Sequence, residues 1–286
     1  MTRFYKLSGS GNDFLALAEP EEIPAAGQIR AWCRRGVSIG ADGLFVLRRS
    51  EGGAVMDYFN ADGLAADLCL NGTRCAAQLA FRLGWAQDRV HLRTGAGSVA
   101  ARRLDEARTS VELPAPPEPP QALTVEAGGA AHAGWRILVG VPHFVLVLPG
   151  GPESLETAPV RELGRQIRYH PVFGAPGTNV NFVRFPAADR MEIRTYERGV
   201  EDETLSCGTG CLAGAAVGLH LGKARLPLTV ETQGGFALTV EGDPEAGSWF
   251  LSGDARVVAE GEILPDAAVQ PSPPSWCRQA APLVLP

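Results

Sequence analysis

Cys69-Leu70-Asn71-Gly72 returns later in the chain as Cys207-Gly208-Thr209-Gly210, and the register between the two runs decides the organisation of the molecule. The offset from 69 to 207 is 138 residues, and it also pairs Gly84 with Gly222, Thr94 with Thr232 and Gly97 with Gly235. Leu79 and Leu83 meet Val217 and Leu221 in the same register. A register held this long marks an internal duplication. Two copies of one unit, each presenting a thiol at a turn into a helix, predict two like domains closing over one site with paired cysteines.

Around each cysteine the two copies read alike. Apolar residues at helical spacing follow it, Cys75, Leu79 and Leu83 in the first copy and Leu212, Ala216, Val217 and Leu221 in the second. Gly84 and Gly222 stand as C-caps, and His91 to Thr94 and Leu228 to Thr232 read as the strands that come next. Short strands dominate elsewhere: Phe4 to Leu7, Gly43 to Arg48 and Ala54 to Asn60, with a helix over Gln28 to Arg35. Gly9 to Phe14 reads as a strand-turn-strand hairpin rather than a phosphate loop, because the third glycine of the dinucleotide fingerprint is absent. Pro114 to Pro120 is the natural linker, which divides the chain into domains 1–119 and 120–264. From Pro265 the sequence loses periodicity, so 265–286 reads as a proline-rich tail, loosely attached.

Composition narrows the function classes. The 286 residues are 45% hydrophobic, enough for substantial cores in two domains. A formal net charge of −6 without a lysine-arginine block argues against nucleic acid and anionic membrane as partners, leaving a small molecule as the ligand. Met1 to Phe14 lacks a signal-peptide core and the longest apolar run, Ile137 to Leu148, is too short to span a bilayer, so a cytoplasmic protein is expected. Six cysteines then fit reduced thiols better than a disulfide framework. Only Lys6 and Lys223 are available for a Schiff base, and neither position suits a buried imine, which weighs against pyridoxal phosphate.

The chemistry gathers at the two cysteine turns. A cysteine just ahead of a helix faces unpaired N–H groups and the positive helix end, which is expected to lower its pKa below about 8.5. The adjacent glycines let backbone N–H groups reach an anion, so each turn can also cradle a carboxylate. Two such turns in one cleft could grip an α-carboxylate with a thiol on either face of its Cα, the arrangement that inverts a stereocentre. No cofactor is needed for this. A zinc tetrathiolate of Cys69, Cys75, Cys207 and Cys211 is the competing reading, but the intervals do not match repeated Cys-x₂₋₄-Cys pairs, so no metal is expected. Cys33 and Cys277 read as small buried hydrophobes, and Cys75 and Cys211 as helix-interior residues.

Tyr196-Glu197-Arg198-Gly199 precedes Cys207 as Tyr58-Phe59-Asn60 precedes Cys69. A surface ion pair is the bland account of Glu197-Arg198; the place before the cysteine turn supports a functional one. His143 interrupts an apolar strand, where a satisfied half-buried histidine is the ordinary finding. Of Asn179-Val180-Asn181, one asparagine is expected in the cleft and the other in a structural role.

These residues resemble the diaminopimelate epimerase family, through Gly11-Asn12-Asp13-Phe14, Asn60-Ala61-Asp62-Gly63, Cys69 to Cys75, Pro142-His143, Gly177-Thr178-Asn179, Tyr196 to Gly199 and Glu203 to Gly210. The resemblance covers nearly everything before the tail. It implies a mixed α/β (α+β) fold of two pseudo-symmetric domains, each a curved, mainly antiparallel sheet around a central helix, with the active site between them. It implies Cys69 and Cys207 as acid and base, His143 and Glu197 as aids to their ionisation, and Asn12, Asn60, Leu70, Asn71, Asn179, Arg198, Gly208 and Thr209 as substrate-binding positions. Arg198 would pair with a distal carboxylate. The implied reaction converts LL- to meso-diaminopimelate without a cofactor, for lysine and cell-wall synthesis, and a homodimer is the assembly to test. The sequence departs from the family at Leu70, usually glycine, at Val141, usually asparagine, and at Gly43, often glutamine. Those departures keep open a two-cysteine racemase of another amino acid, of the proline, hydroxyproline or histidine kind, and a non-catalytic amino-acid-binding protein is the reading from another class.

Overall fold

A computed structural model describes residues 2–268. The first half runs β1 (Thr2–Gly9), β2 (Asn12–Ala18), α1 (Ala26–Cys33), β3 (Gly43–Ser50), β4 (Gly53–Asn60), β5 (Ala65–Ala66), α2 (Leu70–Arg82), β6 (Arg89–Thr94), β7 (Gly97–Arg103) and β8 (Arg108–Glu112). The second runs β9 (Gln121–Ala127), β10 (Ala130–Val139), β11 (Val141–Val147), α3 (Glu153–Glu156), α4 (Val160–Arg168), β12 (Asn179–Ala187), β13 (Arg190–Glu197), β14 (Asp202–Thr204), α5 (Gly208–His220), β15 (Leu228–Thr232), β16 (Ala237–Asp243), β17 (Ser248–Asp254) and β18 (Arg256–Ile263).

The duplication is one of pairing as well as of letters. β1–β2 is an antiparallel hairpin, β2–β3 is parallel, β3–β4 antiparallel and β4–β6 parallel. In the second half β10–β11, β11–β12, β12–β13 and β13–β15 repeat that sequence of directions. The halves are stitched at their edges, since β17 pairs with β8 and β18 returns to pair with β1. The expected hairpin at Gly9 to Phe14 is the β1–β2 turn, where Gly11 takes φ +85°.

The strands form one continuous 18-stranded sheet, and each half of it wraps its own helix. α2 packs against β1, β6, β7 and β8, and α5 against β10 to β13. Every α2 residue from Leu70 to Phe81 is buried, as is nearly all of α5, so neither helix has a solvent face and both are rich in small residues. Close approach explains the glycines inside α5: a Cβ on Gly218 would stand 2.5 Å from the Phe185 ring. Gly84 and Gly222 end the helices with φ of +71° and +65°, conformations that favour glycine.

The aperiodic segment from Pro265 begins as a short 3₁₀ turn, Pro265–Ala268, whose Ala267 carbonyl accepts the Ser38 hydroxyl at 2.8 Å. The remainder of the tail, with Cys277, lies outside the described residues. Among the described residues no helix is long and apolar enough to cross a membrane.

Candidate active site

Cys69 and Cys207 are the N-cap residues of α2 and α5, each with an extended backbone (φ −137°, ψ 105° and φ −117°, ψ 108°). The backbone leaves its strand direction and enters the helix at the thiol, so each sulfur sits beside the first free N–H groups. Cys69 Sγ accepts from the Gly72 N–H at 3.4 Å and donates to Asn12 Oδ1 at 3.8 Å. Cys207 Sγ lies 3.6 Å from Thr209 Oγ1.

Both thiols line one cavity of about 500 Å³. Its wall takes in Asn12, Asn60, Leu70, Asn71, Asn179, Glu197, Arg198, Gly208 and Thr209, and Tyr58, Asp67, Val141 and the linker residues Pro114 and Ala115 are among the others that line it. A hollow of about 590 Å³ on the outer face of the sheet, around Arg89, His91 and Phe250, contains neither cysteine. Among the described residues no group of three or more potential metal ligands gathers in binding geometry.

The helix starts meet at the cavity floor. The Asn71 amide donates to the Ser206 carbonyl at 3.1 Å, and a Cβ on Gly208 would stand 3.1 Å from Asn71 Oδ1 and from Leu70 Cβ. Glycine lets the two turns come this close without pushing Asn71 or Leu70 aside. Asn12 is held from behind, its Nδ2 donating to Asp42 Oδ2 at 2.7 Å while Arg35 clamps the same carboxylate at 2.7 Å. Arg198, in contrast, forms no ion pair among the described residues, although its backbone N–H donates to Asn179 Oδ1 at 2.8 Å.

Electrostatics here differ from the sequence expectation. Burial pushes the Cys69 thiol up to about 11, against the pull of the Gly72 N–H, with the Glu197 charge adding to the rise. Burial and Glu197 raise Cys207 well above its ordinary value as well. The expected lowering by the helix end is therefore outweighed in the cleft, because burial penalises a thiolate more than one N–H bond favours it. Burial also lifts Glu197 to about 7, with bonds from Thr204, at 2.8 Å to Oε2, and from Cys207 pulling the other way.

His143 stands apart from this group. Its fully buried ring faces the Asn181 amide at 3.0 Å, its Nε2 has no partner among the described residues, and it is absent from the cavity wall. Burial, with the Arg198 charge, drives its pKa down to about 3, so it is neutral. The partner beside the thiols is Glu197, and His143 is joined to Asn181 instead. Of the two strand asparagines, Asn179 reaches the cavity and Asn181 serves His143 and Thr195.

Sequence reasoning missed Tyr58 and Asp42. The offset that pairs Tyr58 with Tyr196 was visible, yet only Tyr58 reaches the cavity, where it hydrogen-bonds Cys69 and burial raises its pKa. Tyr196 donates to the Glu201 carbonyl at 2.8 Å. Asp42 had no local signal, since its link to Asn12 exists only across β2 and the loop before β3.

The family model for diaminopimelate epimerase matches residues 4–114 and 136–258. The chain belongs to the diaminopimelate epimerase family. It is 36% identical over 274 residues to a diaminopimelate epimerase of Aquifex aeolicus, covering 91% of this chain and 97% of that one. A diaminopimelate epimerase of Chlorobaculum tepidum is 36% identical over 264 residues, covering 90% and 99%. Among solved structures, a probable proline racemase from Agrobacterium radiobacter superposes with a TM-score of 0.70 at 15% identity, over 94% of this chain and 96% of that one, a likeness of fold. The protein is thus an isomerase of the epimerase type with a two-domain mixed α/β fold.

Proposed function

We propose that this protein interconverts LL- and meso-diaminopimelate by moving a proton between Cys69 and Cys207, a cytoplasmic step of lysine and cell-wall precursor synthesis. The observation that carries the reading is the meeting of two helix-capping thiols, one from each half, in one cavity that also holds an arginine without an anionic partner among the described residues. The free N–H groups of α2 and α5 receive the α-carboxylate and meet the charge that develops on it when Cα loses its proton. One cysteine takes that proton as thiolate and the other delivers its own to the opposite face. Glu197 is the group beside Cys207 able to accept a proton near neutral pH, which prepares that thiol for the direction in which it acts as base. Arg198 takes the distal carboxylate as a bidentate pair. Asn12, Asn60, Asn71, Asn179, Gly208 and Thr209 supply the remaining polar contacts, and Leu70 and Val141 form apolar wall against the methylene chain. The scheme draws on no cofactor.

Incubation of purified protein with LL-diaminopimelate in deuterated water tests this reading. Meso product carrying deuterium at Cα, with unreacted LL substrate largely unlabelled, is the expected result. Faster turnover of proline, hydroxyproline or histidine would transfer the chemistry to that substrate, and no turnover of any amino acid would leave a binding protein.

A further inference from the structure

Arg74 is a cation inside the molecule that the proton-transfer scheme does not use. Among the described residues it heads the largest completely buried side chains, 0% exposed, and lies in the first turns of α2 after the Cys69 cap. One nitrogen, Nη2, donates to Asn71 Oδ1 at 2.9 Å and to Ser10 Oγ at 3.1 Å. Nε and Nη1 have no hydrogen-bond partner among the described residues. The nearest linked carboxylate is one step removed: Ser10 Oγ donates to Asp254 Oδ1 at 2.7 Å, and Asp254 is itself shared with Arg256 at 3.2 Å. The guanidinium is therefore undercompensated where an unpaired charge is costly.

The duplication shows how unusual this is. The residue at the same offset in α5 is Leu212, also completely buried. A leucine would fill the helix core, and the first copy places a cation there instead. Its one contact toward the cavity fixes the Asn71 amide, oxygen to Arg74 and nitrogen to the Ser206 carbonyl next to Cys207.

We propose that Arg74 is a positioning residue of the cysteine-pair site, which orients Asn71 to hold the two cysteine turns together and sets, on the helix that Cys69 caps, a positive charge that the helix of Cys207 lacks at the equivalent Leu212. The inference rests on the reading of the two cysteines as acid and base. It makes the pair electrically unequal, with the first copy favouring thiolate. The groups that act on Cys69 are Arg74 on its own helix, Tyr58 from β4 and Glu197 from β13, and Asp67 and Arg198 line the same cavity.

Alkylation by iodoacetamide, followed at each cysteine by peptide mass spectrometry between pH 6 and 10, reads thiolate content without requiring any substrate. Arg74→Gln keeps a polar group in the core and removes the charge. It should slow Cys69 at pH 8 by about tenfold, the consequence of a rise of one pKa unit, and change Cys207 by less than about threefold. Arg74→Lys restores the charge and loses the planar fork; Cys69 alkylation should return to within about threefold of wild type while KM for diaminopimelate rises about tenfold and kcat moves less. Equal slowing of both cysteines, or an unchanged Cys69 in folded Arg74→Gln, overturns the inference. Should Arg74→Gln lose its circular dichroism signature, Arg74→Lys decides alone, and an unchanged KM there overturns the positioning role. A protein inactive on every amino acid would refute the proposed substrate and still leave the alkylation result to judge Arg74.

Discussion

Asn71 donates its side-chain amide to the carbonyl of Ser206 at 3.1 Å, so the residue two after one cysteine holds the residue just before the other. Asn71→Ala leaves that buried carbonyl and the Arg74 guanidinium short of a partner. A loss of about 1–3 kcal/mol in unfolding free energy is expected, together with a drop in epimerisation of more than about tenfold. Denaturant titration and an activity assay on one preparation check both.

Cys69→Ala and Cys207→Ala should each abolish net epimerisation, a loss of about 10²-fold or more, because each direction needs one base and one acid. Serine at either position should leave only a trace, its hydroxyl being a far poorer base. Near-normal turnover in either alanine variant would end the two-thiol mechanism and leave the duplicated turns as helix packing.

Glu197, lifted to about 7 by burial, sets a pH dependence of stability with a definite sign. Its folded pKa lies above the unfolded value, so the folded state holds the extra proton and stability falls as pH rises from about 4.5 to 7. The loss is at most about 3 kcal/mol, reduced by the partial exposure of the side chain. Glu197→Gln removes this slope. Melting temperatures of the two proteins at pH 4.5 and pH 7 should show the variant gaining on wild type at the higher pH.

Arg198→Lys should raise KM for diaminopimelate by about tenfold or more, since a lysine replaces a bidentate partner with a point charge. The same change should matter little for an amino acid without a second carboxylate. If wild type racemises aliphatic amino acids as fast as diaminopimelate, Arg198 does not select the substrate.

Gly210→Ala tests how closely α5 is built against its surroundings. The new Cβ would stand 2.5 Å from Asn181 Oδ1 and 3.3 Å from Cys207 Sγ. A destabilisation of about 1–3 kcal/mol is expected, with lower activity because the reactive sulfur must shift. Gly84→Ala, at φ +71° with open space around it, should cost stability through backbone strain and leave the site intact.

The sequence by itself determined the duplication, the two capped helices, the hairpin at Gly9 to Phe14 and which cysteines belong together, because these depend on periodicity, glycine at positive φ and a constant offset. The polar residues expected in the cleft came from the motifs of the family resemblance, and all but His143 line it. Tertiary structure alone decided the electrostatics and the residues that act from a distance. Helix-end chemistry argued for low thiol pKa values, but burial is a property of the packed cleft and drives them upward. Arg74, Asp42 and Tyr58 acquire their roles from strands and turns that meet only in the fold, as Arg74 does with Ser10 and, through it, Asp254. Desolvation and charge pairing depend on three-dimensional distance, and a linear offset that records common ancestry of two halves does not carry that distance.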